Sequence, residues 1–275
     1  MDLIEIIILA TIAISGTVFG SFFTLAVHRI PRKEDITHER SYCPNCNHKL
    51  QFLDLIPVFS YIFLGGKCRY CKNKIRPRYL LLEIFSGLVF LLLGLSYKIN
   101  IETTVVEFIS FALLILFLCS IFIIGGIDKE KYIIPNGLLV YGFGITVLKL
   151  FLEVFIIKNT IYANLIGLFA IPLMLLLINI IVQKGFKNKE IPFGMGDIKY
   201  IALIGLFCGF GLQIMIIAMS LIAVLVYKII KAFGHKENKK IAWGFYLSIA
   251  TAIILIFAPH ISNMTEVFNF MIIKL

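Results

Sequence analysis

Residues 104–125 read TVVEFISFALLILFLCSIFIIG, an apolar run long enough to cross a lipid bilayer as one helix, which takes about 17–25 residues. Seven further apolar runs lie at 3–27, 79–97, 133–152, 161–182, 198–209, 212–230 and 241–260. Gly209-Phe210-Gly211 separates two of them into a compressed pair, because glycine allows a tight turn and weakens a continuing helix. One long tilted helix is the alternative. The sequence therefore predicts an all-α polytopic membrane protein with about eight transmembrane helices.

The composition excludes an ordinary soluble domain. Of the 275 residues, 60% are hydrophobic and 15% charged, whereas soluble domains are about 45–50% apolar. The first apolar run begins at residue 3 with no basic stretch before it and is longer than the core of a signal peptide. We therefore expect it to be a retained membrane anchor.

The positions of the basic residues predict the orientation in the membrane. Loops 28–78, 126–132, 183–199 and 228–240 together hold 22 of the 26 Lys and Arg residues. Because basic residues of short loops stay in the cytoplasm, we expect these loops inside and both termini outside. The net charge of +10 then reflects topology, and no nucleic-acid partner is expected, since no basic stripe interleaves with aromatic residues outside the loops.

One polar segment of substantial length interrupts the apolar runs, from His28 to Arg78. Its prolines and glycines predict a small, loop-rich module with little helix. The expected organisation is a first transmembrane helix at 1–27, a cytoplasmic module at 28–78 and a membrane domain of seven helices at 79–275.

The polar segment carries two CxxC motifs, formed by Cys43 with Cys46 and by Cys68 with Cys71. Two such motifs fit a tetrahedral zinc site of four thiolates, which can nucleate a fold in a segment whose own core is small. Four sulfur ligands leave no position for a water, so such a zinc would be structural. Two disulfides or free thiols are the alternatives, and the reducing cytoplasm disfavours the disulfides.

Two acidic residues lie at the ends of membrane runs, where ionisable groups are costly and are candidates for function. Asp128 follows the third run within GGIDKEKYIIPN (125–136), and Asp197 opens the sixth within FGMGDIKYIAL (193–203). The predicted topology places both at the cytoplasmic face. Each has glycines nearby that would allow a substrate backbone to approach closely.

Two carboxyl groups within hydrogen-bonding distance share one proton, because like charges repel. The ionised member can activate a water and the protonated member can donate to the carbonyl oxygen, which together hydrolyse an amide. On spacing alone, a helix cap or an ion pair with Lys129, Lys131 or Lys199 explains either aspartate equally well.

Several motifs in their order along the chain resemble those of the bacterial prepilin peptidases, which are membrane aspartyl proteases with a GxGD signature. Gly194-Met195-Gly196-Asp197 with Lys199 resembles that signature, and Asp128 followed by Ile134-Pro135-Asn136 resembles the first catalytic motif. The resemblance extends over residues 16–211 and includes Gly20-Ser21-Phe22, Arg29-Ile30-Pro31, both CxxC motifs, Asp54-Leu55-Ile56-Pro57 and Arg78-Tyr79 with Glu83. Trp243-Gly244-Phe245-Tyr246 departs from the family's usual sequence, so no role is carried over to it.

The resemblance implies an endopeptidase that removes the leader of type IV prepilins or pseudopilins at the cytoplasmic face of the bacterial inner membrane. Asp128 and Asp197 would be the catalytic pair, supported by Gly194, Gly196, Lys199 and Pro135. An intact cysteine module further implies N-methylation of the new amino terminus with S-adenosylmethionine as methyl donor. Glu83, Arg76 and Arg78 are the candidates for that second activity, with anchoring at the membrane interface as the alternative.

Two other classes of protein fit parts of the sequence. An ion-coupled transporter would use Asp128 and Asp197 as cation sites near broken helices. A scaffold stabilised by zinc would make both aspartates dispensable.

Overall fold

The computed structural model describes residues 2–36, 40–185, 192–233 and 240–273, and this part of the chain contains nine α-helices and no β-strand. The helices are α1 (Leu3–Arg29), α2 (Phe59–Phe63), α3 (Arg78–Ser96), α4 (Val105–Lys131), α5 (Asn136–Phe155), α6 (Tyr162–Gly185), α7 (Met195–Cys208), α8 (Phe210–Phe233) and α9 (Trp243–Ile273). Two short 3-10 turns, Ile30–Arg32 and Phe52–Asp54, lie between α1 and α2. The predicted all-α architecture is confirmed.

Seven of these helices are long and apolar enough to cross a membrane: α1, α3, α4, α5, α6, α8 and α9. The sequence predicted about eight. The difference is α7, which has 14 residues and is too short for a full span at about 1.5 Å per residue. Its separation from α8 is as predicted, because Gly209 adopts a φ of +81° between the two helices.

The chain divides into two compact units, Met1–Thr104 and Val105–Leu275. In the first unit α1 packs against α3 through small residues. A Cβ atom at Gly16 would lie 2.7 Å from the carbonyl oxygen of Ser86, and one at Gly87 would lie 2.7 Å from Thr17. Small side chains on both helices therefore allow the backbones to approach closely, as in many membrane helix pairs.

In the second unit α7 is a buried core helix rather than a lipid-facing one. Most of its residues from Ile198 to Phe207 are buried, and α5, α6, α8 and α9 pack around it. Phe207 stacks on Phe117 of α4 with ring centroids 3.7 Å apart. A Cβ atom at Gly167 of α6 would lie 2.6 Å from the carbonyl oxygen of Gly205.

Side chains from neighbouring helices satisfy the carbonyl groups at the end of α7. Lys149 and Asn164 both donate to the Phe207 carbonyl, at 3.0 and 3.3 Å, and Asn164 also donates to the Leu206 carbonyl. A helix that ends inside a bundle would otherwise leave these acceptors unpaired in an apolar environment. These contacts fix α7, and with it Asp197 at the opposite end.

Candidate functional site

Asp128 lies in the last turn of α4, the most buried of the long helices, and its side chain is itself buried. Its Oδ2 atom accepts a hydrogen bond of 3.2 Å from the backbone N–H of Phe245, in the first turn of α9. A backbone donor at a helix N-terminus stabilises a negative charge. Asp128 is thus held by α9. Among the described residues it forms no ion pair with Lys129 or Lys131, which was the alternative on sequence alone.

Asp197 lies in the first turn of α7, three residues after Gly194, which is the N-cap. The backbone of Gly194 forms a hydrogen bond with the Asp197 carboxylate. This matches half of a capping box, in which an acidic side chain at the third helical position returns to the N-cap backbone. Asp197 is half-buried, so capping leaves part of its carboxylate accessible.

The two aspartates come together at one end of the second unit. The Asp197 carboxylate is close enough to repel that of Asp128 electrostatically. The segments that carry them are also in contact: a Cβ atom at Gly196 would lie 3.2 Å from the Cβ of Ile134, and Lys199 donates to Asn136 at 3.3 Å. Pro135, the extended N-cap of α5, lies between these two contacts in the sequence.

The beginning of α9 completes this site, although the sequence analysis assigned it no role. Gly244 is required there because a Cβ atom would lie 2.9 Å from Oδ2 of Asp128. Lys129 lies over the ring of Phe245, with its Nζ atom 4.1 Å from the ring centroid. Neither helix periodicity nor capping rules predict that the start of α9 contacts Asp128. The one feature of the sequence that could have indicated this contact is a single glycine among three aromatic residues.

A buried hydrogen-bond chain joins α7, which carries Asp197, to α9. The Tyr200 hydroxyl, one turn after Asp197, lies 2.8 Å from Oγ of Ser248. Ser248 in turn donates to the carbonyl of Gly244 at 2.8 Å, so Tyr200 must be the donor to Ser248. A Cβ atom at Gly125 of α4 would lie 2.6 Å from the Cβ of Ser248, which shows how closely α4 approaches the same point.

A second cluster lies in the first unit, where the four predicted cysteines meet. The Sγ atoms of Cys43, Cys46, Cys68 and Cys71 all lie within 4.8 Å of one another. Zinc with four Zn–S bonds of about 2.3 Å requires sulfur separations of about 3.8 Å. The Sγ atoms of Cys43 and Cys71 are 3.9 Å apart, so the four residues fit this ion and could hold it.

The two CxxC motifs have the same local structure. The fourth residue after the first cysteine, Asn47 in one motif and Lys72 in the other, has a positive φ of 56° or 58° and donates to that cysteine's carbonyl. Each motif is also closed by an antiparallel bridge, between Tyr42 and Lys49 and between Lys67 and Lys74. Each motif contributes one buried and one exposed cysteine. We refer to the two motifs together, Cys43–Cys46 and Cys68–Cys71, as the cysteine clamp.

Hydrogen bonds within the clamp favour thiolate formation at one cysteine in particular. A hydrogen bond from the backbone of Cys71 lowers the pKa of the Cys68 thiol to about 7. The Cys71 thiol shifts the other way: a hydrogen bond from the Asn73 backbone lowers its pKa, but burial and the hydrogen bonds with neighbouring thiols outweigh it and raise the pKa to about 11. A thiolate is the form that ligates a metal, and of these two thiols Cys68 ionises first.

Asp54 ties the second motif to the preceding turn. Its side chain accepts from Nε of Arg69 at 2.6 Å, from the Tyr70 hydroxyl at 3.1 Å and from the backbone of Gln51 at 3.1 Å. Burial opposes ionisation, but the hydrogen bonds from Arg69, Gln51 and Tyr70 outweigh it and hold the Asp54 pKa below its usual range. The ionised carboxylate therefore stabilises the module.

This stabilisation predicts a pH-dependent effect of Asp54→Asn. Because folding lowers the pKa, the contribution is complete above the unfolded value of about 4 and is lost as the pH falls through the folded value. At pH 7 the substitution should destabilise the module by about 0.5–1 kcal/mol, because Arg69 is half-exposed and solvent screens the pair. The measurement is the rate at which the protein loses metal to a chelator, which should be faster for Asp54→Asn than for the parent. Arg69→Lys should increase this rate less. Equal rates of metal loss in the parent and both variants would contradict a stabilising role for the Asp54 carboxylate.

The residues considered for methyl transfer lie around the start of α3. Glu83 accepts a hydrogen bond of 2.7 Å from the backbone N–H of Val58. Arg76 and Arg78 are exposed, and the Arg78 guanidinium lies 5.3 Å from the centroid of the Tyr79 ring. The structure therefore gives Glu83 a defined structural contact.

Comparisons with known proteins agree with these features. A model of the bacterial peptidase A24 N-terminal domain matches residues 14–97. A prepilin leader peptidase/N-methyltransferase of Vibrio cholerae is 33% identical over 221 residues, which cover 74% of this chain and 79% of that protein. Proteins of the same name from Bacillus subtilis (29% identical, 73% and 74% covered) and Pseudomonas putida (24%, 94% and 93%) are also similar. No solved structure matches the chain.

Proposed function

Because the chain belongs to the bacterial prepilin peptidase family, we propose that Asp128 and Asp197 form the catalytic dyad of a membrane endopeptidase. Its substrates are type IV prepilins or pseudopilins, from which it removes the leader peptide. The observation that carries this proposal is the pairing of two aspartates from α4 and α7 at one end of a membrane bundle.

The geometry supports a direct attack by water. The two carboxyl groups repel each other electrostatically. Where they share one proton in the complex with substrate, one member is ionised and the other protonated. The ionised member removes a proton from the water as it attacks the scissile carbonyl, and the protonated member donates to the carbonyl oxygen. The Phe245 N–H keeps the Asp128 carboxylate oriented, and the Gly194 backbone does the same for Asp197.

The location of the dyad suits a substrate that is itself a membrane helix. Asp128 ends α4 and Asp197 begins α7, so both lie at the boundary of the apolar region. A prepilin presents its scissile bond just before a hydrophobic helix, at that same depth. We propose that the protein lies in the bacterial inner membrane. Because its basic loops are expected in the cytoplasm, the site would face the cytoplasm.

We further propose that the protein methylates the new amino terminus of the mature pilin. S-adenosylmethionine would supply the methyl group, and the cysteine clamp would hold structural zinc that maintains the module. Glu83, Arg76 and Arg78 remain the candidates to test, although Oε2 of Glu83 is already engaged by Val58. Replacing each in turn and measuring methylation of the cleaved pilin by mass spectrometry, with cleavage as the internal control, tests the assignment.

The proposed activity is tested by incubating the purified protein with a prepilin and measuring release of the leader. The released leader and the shortened pilin are both expected. If the protein instead transported ions across the membrane of proteoliposomes and released no leader, it would be a transporter, and the proposal would be contradicted.

Replacement of Gly244 by alanine should slow leader cleavage strongly. The added Cβ would lie 2.9 Å from Oδ2 of Asp128, so the carboxylate must move. A displacement of about 1 Å at a catalytic group can reduce a rate by about 10²-fold. The measurement is the cleavage rate at saturating prepilin.

Gly144→Ala is the matched control, because a Cβ atom at Gly144 would meet no atom within 4 Å. It should cleave at the parental rate. The melting temperature of each variant separates a displaced carboxylate from loss of the fold. A Gly244→Ala enzyme with the parental rate would show that α9 does not position Asp128.

A further inference from the structure

The short helix α2 carries an apolar face that packs against none of the described residues of the first unit. Phe59, Ile62 and Phe63 are 60%, 61% and 84% exposed. Their spacing of i, i+3 and i+4 places all three on one side of the helix. Phe52, in the 3-10 turn that contacts α2, is 81% exposed. We refer to these four residues as the apolar face.

The opposite side of α2 is packed against the cysteine module. The Tyr61 hydroxyl donates to the carbonyl of Ile75 at 3.4 Å. A Cβ atom at Gly66 would lie 2.9 Å from that same hydroxyl, so the ring lies against the two segments that flank the second CxxC motif. The helix therefore has a defined inner side, and the exposure of the apolar face is a consequence of its orientation.

The backbone before α2 is strained and is held by a transmembrane helix. Val58 has φ 63° and ψ −54°, and Phe59 N–H donates to the carbonyl of Pro57 at 2.6 Å, which forms a γ-turn. This turn is rare and strained, especially for a β-branched residue. The Val58 N–H donates to Glu83 of α3, which holds the turn in place.

The contact with Glu83 sets the depth of α2. Glu83 lies five residues after the start of α3, so at about 1.5 Å per residue it is about 8 Å along that helix. The 19 residues of α3 span about 28 Å, close to the roughly 30 Å of a hydrocarbon core. The turn that leads into α2 is therefore held within about 8 Å of the end at which α3 meets the lipid interface.

The charges around the apolar face match the same surface. Lys67 follows α2 closely, Arg76 lies two residues before α3, and Arg78 is the first residue of α3; all three are exposed. Basic side chains beside an apolar face attract anionic lipid headgroups while the apolar residues enter the upper acyl region.

We propose that the apolar face inserts into the lipid interface and anchors the cysteine module to the membrane surface. The partner is the bilayer that α1 and α3 cross. The inference does not depend on the proposed protease activity. It gives Glu83 a positioning role: the residue holds the strained turn that directs Phe59, Ile62 and Phe63 toward lipid.

Tryptophan reporters test the anchor in the intact protein. Phe63→Trp and, as the control, Tyr42→Trp on the first CxxC motif are reconstituted into vesicles of phosphatidylethanolamine and phosphatidylglycerol with or without brominated acyl chains. Trp243 is the one native tryptophan, so the parent protein supplies the background to subtract. Insertion to a depth of about 5–10 Å should at least halve the emission of the reporter at 63 in brominated vesicles.

The reporter at 42 should instead be quenched by aqueous iodide and not by brominated lipid. Glu83→Ala, which releases the Val58 turn, should reduce lipid quenching at 63 toward the level at 42. Quenching at 63 by iodide alone would show a solvated face, and protection from both quenchers would show a face covered by protein. Either result would overturn the proposal.

Discussion

The parent protein is expected to bind one zinc ion per chain, and Cys43→Ser and Cys68→Ser are each expected to lose it. Both residues are the buried members of their CxxC motifs, and their sulfur atoms lie in the four-atom cluster. A structural zinc contributes about 10–16 kcal/mol of binding free energy that is coupled to folding. Apart from Cys43 and Cys68 the module has few fully buried apolar residues, so little else can replace this contribution.

The result is measured as metal content by mass spectrometry and as protease sensitivity of the segment 28–78. The variants should retain α-helix, because both units are built mainly from long helices. Methylation of the cleaved pilin should fall more than leader cleavage does, since the aspartates lie in the second unit.

Cys208→Ser is the matched control for this prediction, because Cys208 lies at the end of α7 and outside the cluster. It should bind as much zinc as the parent. Full zinc content in Cys43→Ser or Cys68→Ser would contradict a four-thiolate site, and a disulfide detected between the motifs in the purified protein would exclude it.

The sequence predicted the helices well because lipid imposes a simple rule on length and polarity. The break at Gly209 was predictable because glycine allows a tight turn. The proximity of the two CxxC motifs was predictable because a tetrahedral zinc site needs four thiolates. The count of full spans differed because α7 is as apolar as a transmembrane helix. Its apolar run at 198–209 is already shorter than a full span, and the structure shows that the whole helix has only 14 residues.

The long-range contacts of the site were beyond the sequence. The hydrogen bond from Phe245 to Asp128 joins residues 117 positions apart, and the packing of α9 against α4 determines it. The turn at Val58 was also unpredictable, since a valine with positive φ contradicts its intrinsic preference. Only the tertiary contact with Glu83 accounts for it.

Asp128→Asn and Asp197→Asn should each reduce leader cleavage by about 10³–10⁴-fold, near the upper end of what general acid–base catalysis contributes. Asparagine has nearly the same shape, and its side-chain oxygen can still accept from the Phe245 N–H or the Gly194 backbone. It can neither take a proton from water nor hold the shared proton. The two single variants should therefore be similarly inactive, and the double variant should be little worse than either.

Glu153→Gln provides the control for removing a carboxylate from the same bundle. Glu153 pairs with Lys149, whose ammonium caps the far end of α7, away from Asp197. The substitution removes a partly buried charge without touching the dyad, and we expect cleavage close to the parental rate.

Single-turnover cleavage of a prepilin tests the dyad most directly, using the purified parent, Asp128→Asn, Asp197→Asn and Glu153→Gln proteins with prepilin binding measured in parallel. We expect all four to bind the prepilin, the parent and Glu153→Gln to release the leader, and neither aspartate variant to do so at a measurable rate. Leader release at the parental rate by either Asp128→Asn or Asp197→Asn would contradict the dyad.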